Sequence, residues 1–190
     1  MPGKPKHVLA IMGSPRRGGN TDILVDEIIA GAKEAGATVE KLMIGDLNIM
    51  PCEACAACRT TGECVKQDDM KVMLEKLKDN HVWIIGTPVY WWGPTAQLKA
   101  FLDRFYAKAD PENAKKYFAG HRVVLAVPLG DPNPQTARHL VGMFQDAIDY
   151  VKGELFASVL APGAYDMGDV SKMEDVLKQA RQVGRDAVAD

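Results

Sequence analysis

The stretch His7-Val8-Leu9-Ala10-Ile11-Met12, followed at once by Gly13-Ser14-Pro15-Arg16-Arg17-Gly18-Gly19-Asn20-Thr21, decides how the rest of the chain is read. An apolar run of this length, closed by turn residues, reads as a buried strand. The turn opens into a helical pattern from about Thr21 to Ala35, with Leu24, Ile28 and Ala32 on one face and Gly36 just past its end as a C-terminal cap. Strand, glycine-rich turn and helix in that order form the opening unit of a parallel sheet covered by helices.

Working outward, the alternation recurs. Strands read at Thr38 to Ile44, His81 to Gly86, Arg122 to Val127 and Glu154 to Leu160. Asp68 or Asp69 caps a helix reaching Leu77, and a third helix from Thr95 to Tyr106 carries Leu98, Phe101, Leu102 and Phe105 as a core-facing stripe. Leu140, Met143, Phe144, Ala147, Ile148 and Val151 mark a fourth helix, and Met173, Val176, Leu177 and Ala180 a fifth. Right-handed crossovers then predict a three-layer α/β fold with a five-stranded parallel sheet in the order 2-1-3-4-5. A ligand is expected at the carboxyl edge of such a sheet, between strands one and three. With no repeat, low-complexity tract or linker, the 190 residues read as one domain with a cysteine-rich insertion at about 45–66.

A net charge of −2, from 23 basic and 25 acidic residues, gives no footprint for nucleic acid or an anionic membrane. Met1 to Lys6 is short and polar, and no stretch approaches the roughly 18 apolar residues of a membrane span, so a cytoplasmic protein is expected.

Three segments carry chemistry. In the first turn, free N–H groups at a helix start suit an anion, with Ser14, Arg16, Gly19, Asn20 and Thr21 as candidate phosphate contacts. It lacks the Lys-Ser/Thr ending of a triphosphate loop and the G-x-G-x-x-G pattern, which favours a mononucleotide; the plain alternative is a helix cap with solvated arginines. The loop after strand three, Gly86-Thr87-Pro88-Val89-Tyr90-Trp91-Trp92-Gly93-Pro94-Thr95, concentrates aromatics and prolines fit to enclose a flat ring. Trp91 and Trp92 can equally pack on the protein body or a second subunit. The third segment holds all the cysteines of the chain, Cys52, Cys55, Cys58 and Cys64, spaced C-x2-C-x2-C-x5-C. In a reducing compartment such density reads as an iron-sulfur cluster or zinc, with unloaded thiols as the alternative. His7, His81, His121 and His139 read as structural or solvated, and Asp68, Asp69 and the charges from Lys108 to Lys116 as caps and solvated surface. No triad, carboxylate pair or H-E-x-x-H motif nominates a catalytic acid, base or nucleophile.

Taken together, Gly13-Ser14-Pro15-Arg16 with Gly19-Asn20-Thr21, the four cysteines ending near Asp68-Asp69-Met70, and Gly86-Thr87-Pro88-Val89-Tyr90 with Gln97-Leu98-Lys99-Ala100-Phe101-Leu102-Asp103-Arg104 resemble the iron-sulfur flavoproteins. These lie within the NAD(P)H-dependent FMN reductase-like branch of the flavodoxin-like fold. The resemblance implies FMN, its phosphate on Ser14, Arg16, Asn20 and Thr21 and its ring beside Pro88 to Trp92, with Thr87 and Gly93 flanking. Leu129, Gly130 and Asp131 would line the other side. It also implies a [4Fe-4S] cluster on the four cysteines, close to the ring or across a dimer interface, in a homodimer or homotetramer. The expected activity is that of a flavin-dependent oxidoreductase relaying electrons between FMN and cluster, with NAD(P)H or ferredoxin as donor and a small-molecule acceptor. Rivals are an NAD(P)H-dependent FMN, quinone or azo-type reductase without a cluster, a flavodoxin-like electron carrier, and a zinc-stabilised binding module.

Overall fold

The computed structural model describes residues 6–189; Met1 to Pro5, part of the N-terminal reading above, lie outside the described residues. Strands β1 (His7–Met12), β2 (Thr38–Met43), β3 (Val82–Gly86), β4 (Arg122–Leu129) and β5 (Glu154–Pro162) form one sheet. Every pairing is parallel and the order is β2-β1-β3-β4-β5, as expected. The helices are α1 (Asn20–Glu34), α2 (Cys58–Thr61), α3 (Met70–Asp79), α4 (Ala96–Asp103), α5 (Pro111–Tyr117), α6 (Arg138–Tyr150) and α7 (Glu174–Val188).

The period-two alternation of side chains sorts the sheet into two cores. Leu9, Ile11, Trp83, Ile85 and Leu125 face α3, α4 and α6 through Met73, Leu77, Leu98, Phe101 and Phe144. Val8, Ala10, Met12, Ile84 and Val124 face α1 and α7 through Leu24, Val25, Ile28 and Ala180. Burying both faces explains why the central strands read as continuous apolar runs. Trp83 is enclosed, and its indole N–H is satisfied by the carbonyls of Leu77 and Asn80 at 3.1 and 2.8 Å. The edge strand β2 is half-exposed and carries charges, Lys41 pairing with Asp22 and Asp26 and Glu40 with Lys76. Such charges discourage edge-to-edge association.

Four expectations need correction. The third helix does not run through to Tyr106: it tightens at Arg104 into a 3₁₀ segment, Arg104–Lys108, followed by an unforeseen α5 that starts on Asp110 as its cap. Ala147, expected in the core, is exposed on α6. The side chains of Asp68 and Lys108, read as a cap or solvated surface, are buried because each meets an opposite charge and backbone partners; the cap reading of Asp68 holds, its Oδ1 accepting from Met70 N–H at 3.2 Å. Asp68 accepts from both terminal nitrogens of Arg104, and Lys108 donates to Gly62 O and the Glu63 carboxylate. Among the described residues no helix is long and apolar enough to cross a membrane.

Candidate functional site

The carboxyl ends of β1 and β3 are knitted together before any ligand is considered. Gly13 N–H donates to Gly86 O at 2.7 Å, Thr95 Oγ1 donates to Gly13 O at 2.5 Å, and Thr95 N–H donates to Thr87 Oγ1 at 3.2 Å. A side chain at Gly86 would collide with Val25 and Thr21, its Cβ lying 2.5 and 2.9 Å from their methyl carbons, so glycine lets α1 close on the end of β3.

Over this floor sits a cavity of about 480 Å³ lined by Ser14, Arg16, Gly19, Asn20, Thr21, Pro88, Val89, Tyr90, Pro128, Leu129, Gly130 and Ala164 to Met167. Its location is the topological switch point of the sheet. One end is the N-terminus of α1, where Gly19 occupies the cap position and no side chain caps the helix. The N–H groups of Asn20, Thr21 and Asp22 therefore have no acceptor among the described residues, as the first turn of an uncapped helix requires. Ser14 and Thr21 are buried against them, and Arg16 is exposed at the rim. Burial opposes the charge on Asp22, but Lys41 and the Gly18 N–H outweigh it and hold the carboxyl below its usual range. The nearby acid is thus already matched by a cation and leaves the helix end suited to an anion such as a phosphate.

Ten of the residues expected at the flavin line this cavity, and five do not: Thr87 is buried beneath it as a floor bond, and Trp91, Trp92, Gly93 and Asp131 lie off its wall. Asp131 closes its own turn, accepting from Asn133 N–H and Thr136 Oγ1. Asn20 has another task as well: its amide donates to the Ala164 and Asp166 carbonyls and accepts from Val170 N–H, pinning the loop after β5. That loop, Ala164 to Met167, was missed in the sequence, although Pro162-Gly163 ends a strand on this same edge.

Tyr90-Trp91-Trp92-Gly93 is a two-residue reverse turn, Tyr90 and Gly93 exchanging both backbone hydrogen bonds at 2.9 and 3.0 Å. Trp91 and Trp92 both adopt positive φ, 48° and 60°, which this turn demands and which Asn-Gly usually supplies. Trp91 is 91% exposed. Bulky residues held in this region store strain, a pattern that clusters at functional sites.

The cysteine segment borders a second, separate cavity. Asp68 and Arg104 close the segment with a buried ion pair, and Arg104 also donates to Met50 O at 2.7 Å. Arg104 stands at the far end of α4 from Thr95, roughly 13–14 Å along the helix axis. The thiols and the flavin loops border separate cavities, and no residue lines both. All four cysteines border one smaller cavity of about 90 Å³, with Arg104, Tyr106 and Ala107 as its floor. Among the described residues, no three side chains of His, Cys, Asp or Glu converge tightly enough to hold a metal ion.

The loop backbone nevertheless suits a negatively charged sulfur cluster. Ala54 and Ala56 take positive φ, 54° and 61°, and no N–H from Cys52 through Cys58 has an acceptor among the described residues. Alternating left-handed residues turn successive N–H groups into one concavity, the arrangement found around phosphates and iron-sulfur centres. The histidines take the structural roles expected: His7 meets Thr38 Oγ1 at 2.7 Å, and His121 packs on Trp83, burial pushing its pKa down.

The profile of the family described as NADPH-dependent FMN reductase matches residues 7–131. An iron-sulfur flavoprotein of Archaeoglobus fulgidus is 30% identical over 182 residues, 93% of this chain and 76% of that protein. Two further archaeal iron-sulfur flavoproteins match over about half of their own length. A Bacillus subtilis protein named as an NAD(P)H-dependent FMN-containing oxidoreductase is 32% identical over 179 residues, 93% of this chain and 95% of the relative. Among solved structures, an NAD(P)H:quinone oxidoreductase from Methanothermobacter marburgensis superposes with a TM-score of 0.78 over 98% of each chain at 19% identity, a likeness of fold alone. A parallel sheet in the flavodoxin-like order, an uncapped helix at its switch point and a family match over two thirds of the sequence converge: the chain belongs to the NADPH-dependent FMN reductase family and is a flavin-dependent oxidoreductase.

Proposed function

We propose that this chain relays electrons between FMN, bound in the cavity at the carboxyl edge of the sheet, and a [4Fe-4S] cluster held by Cys52, Cys55, Cys58 and Cys64. The observation that carries the flavin half is the uncapped N-terminus of α1 opening into that cavity beside Ser14, Thr21 and Arg16. When bound, FMN supplies hydride or single-electron exchange and the cluster supplies single-electron exchange. The protein's part is to bind and orient. The α1 N–H groups and the Arg16 guanidinium hold the phosphate, while Pro88, Val89, Tyr90, Leu129 and Gly130 flank the ring and exclude water. Thr87 supports them from below, and the turn carrying Trp91, Trp92 and Gly93, with Asp131 opposite, frames the entrance for the donor and acceptor. NAD(P)H or a ferredoxin-type protein is the donor in this reading, and a small molecule the acceptor.

The separation along α4 favours a homo-oligomer, a dimer or tetramer, in which the cysteine loop of one copy approaches the flavin of another. We read the whole chain as a single FMN-binding domain with the cysteine loop inserted after β2. A cluster-free NAD(P)H-dependent reductase is the second reading, and the unconverged thiols favour it. Strictly anaerobic purification followed by flavin, iron and sulfide analysis separates the two. About one FMN with about four iron atoms per chain, the content of one cubane, supports the relay. FMN without iron sinks the cluster, and a chain that takes up no FMN sinks both readings.

A further inference from the structure

Arg104 is 2% exposed, and four of its five N–H donors belong to the two terminal nitrogens that face Asp68 and Met50 O. The fifth, on Nε, is buried and has no acceptor among the described residues. A buried charged donor without a partner is costly and calls for an acceptor nearby. Arg104 lines the cavity that all four cysteines border. The Cys64 sulfur is the cysteine group near enough to interact with the Arg104 side chain. Lys108, one turn further along, is buried too, but its ammonium is spent on Gly62 O and Glu63 and it does not line this cavity.

We propose that Arg104 is the positioning residue of the cysteine site, its Nε–H donating a hydrogen bond to the Cys64 sulfur while its terminal nitrogens hold the two ends of the loop at Met50 and Asp68. The inference rests on the reading that these cysteines carry a metal centre. Four thiolates concentrate negative charge, and a fixed donor at one sulfur keeps that ligand in the set and stabilises the more negative, reduced state of the centre. Removing it weakens metal binding and lowers the centre's reduction potential.

The test uses the full chain with FMN bound and its cysteines freed of metal, titrated anaerobically with Co²⁺ and read by thiolate-to-cobalt absorption. Arg104→Gln is expected to weaken cobalt binding about 10- to 100-fold, the usual cost of losing an outer-sphere partner, with FMN content unchanged. Lys108→Met, which loosens the same loop without facing the sulfur, is expected to lose much less. In iron-loaded protein, Arg104→Lys keeps the charge beside Asp68 but lacks the second donor, and lowers the midpoint potential of the cluster's electron-spin resonance signal without moving that of FMN. This variant carries the test if Arg104→Gln does not fold. Wild-type cobalt affinity and cluster potential in the Arg104 variants would overturn this inference alone, as would an equal loss in Lys108→Met. A wild-type protein that binds neither cobalt nor iron at the thiols overturns it together with the cluster reading.

Discussion

Replacing Asp68 by Asn should destabilise this protein by about 3–5 kcal/mol, the range for removing one partner from a buried ion pair. The side chains of Asp68 and Arg104 are 0% and 2% exposed. Oδ2 accepts from Met50 N–H and one Arg104 nitrogen, and Oδ1 from Met70 N–H and the other. Whichever way an amide is turned, its NH₂ faces two donors, and the guanidinium loses its counter-charge. Against a total stability of about 5–15 kcal/mol this is a large fraction. In a chain of this length it corresponds to a fall in Tm of about 6–20 °C. Burial pushes the Asp68 carboxyl up, but Arg104 with the Met50 and Met70 N–H groups outweighs that and holds its pKa below the usual value. The sign follows: the pair's stability is present in full above the unfolded carboxylate pKa of about 3.9 and is lost as pH falls through the lower folded value. The gap between wild type and variant should accordingly be widest at neutral pH and close in acid. Urea unfolding at several pH values measures it. A loss below about 1 kcal/mol at pH 7, the worth of a solvated surface pair, would refute the argument.

Three further outcomes are expected. Arg16→Met should weaken FMN about 10- to 100-fold, since a charged hydrogen bond is worth about 1.5–3 kcal/mol. Riboflavin, which lacks the phosphate, should bind it as it binds wild type in fluorescence titrations; equal losses for both would place Arg16 elsewhere. Replacing Trp91-Trp92 with Asn-Gly should raise stability by about 1–2 kcal/mol by relieving two left-handed side chains, and a less stable double variant in urea unfolding would contradict the strain. Gly31→Ala and Gly184→Ala should each cost about 1–3 kcal/mol, because the new Cβ would lie 1.9 Å from Arg181 O and 2.0 Å from Ile28 O where α1 and α7 cross; thermal melts at or above the wild-type Tm would show that the helices separate freely.

The sheet order and β1 were legible because both rest on local patterns, a buried apolar run and an alternation of strands with helices. The flavin cavity was legible in its first two walls for the same reason, each being a continuous loop with its own turn residues. Its third wall was not, since Ala164 to Met167 carries no motif and is brought to the site by tertiary bonds, from Asn20 more than 140 positions away and from Ala164 N–H to Leu129 O. The burial of Asp68 and Lys108 was missed because a lone charge is solvated by default, and their partners Arg104, Gly62 and Glu63 meet them only through tertiary packing. The turn at Trp91-Trp92 was hidden too, because nothing in a Trp-Trp pair announces positive φ.

The central claim, that one polypeptide holds both a two-electron and a one-electron centre, is tested most directly by an anaerobic reductive titration of the purified holoprotein. About three electrons per chain are expected, two at FMN and one at the cluster, falling to about two in Cys55→Ala, with the flavin band bleaching in both. Two electrons in both proteins would contradict the account and leave a flavin reductase whose thiols are empty.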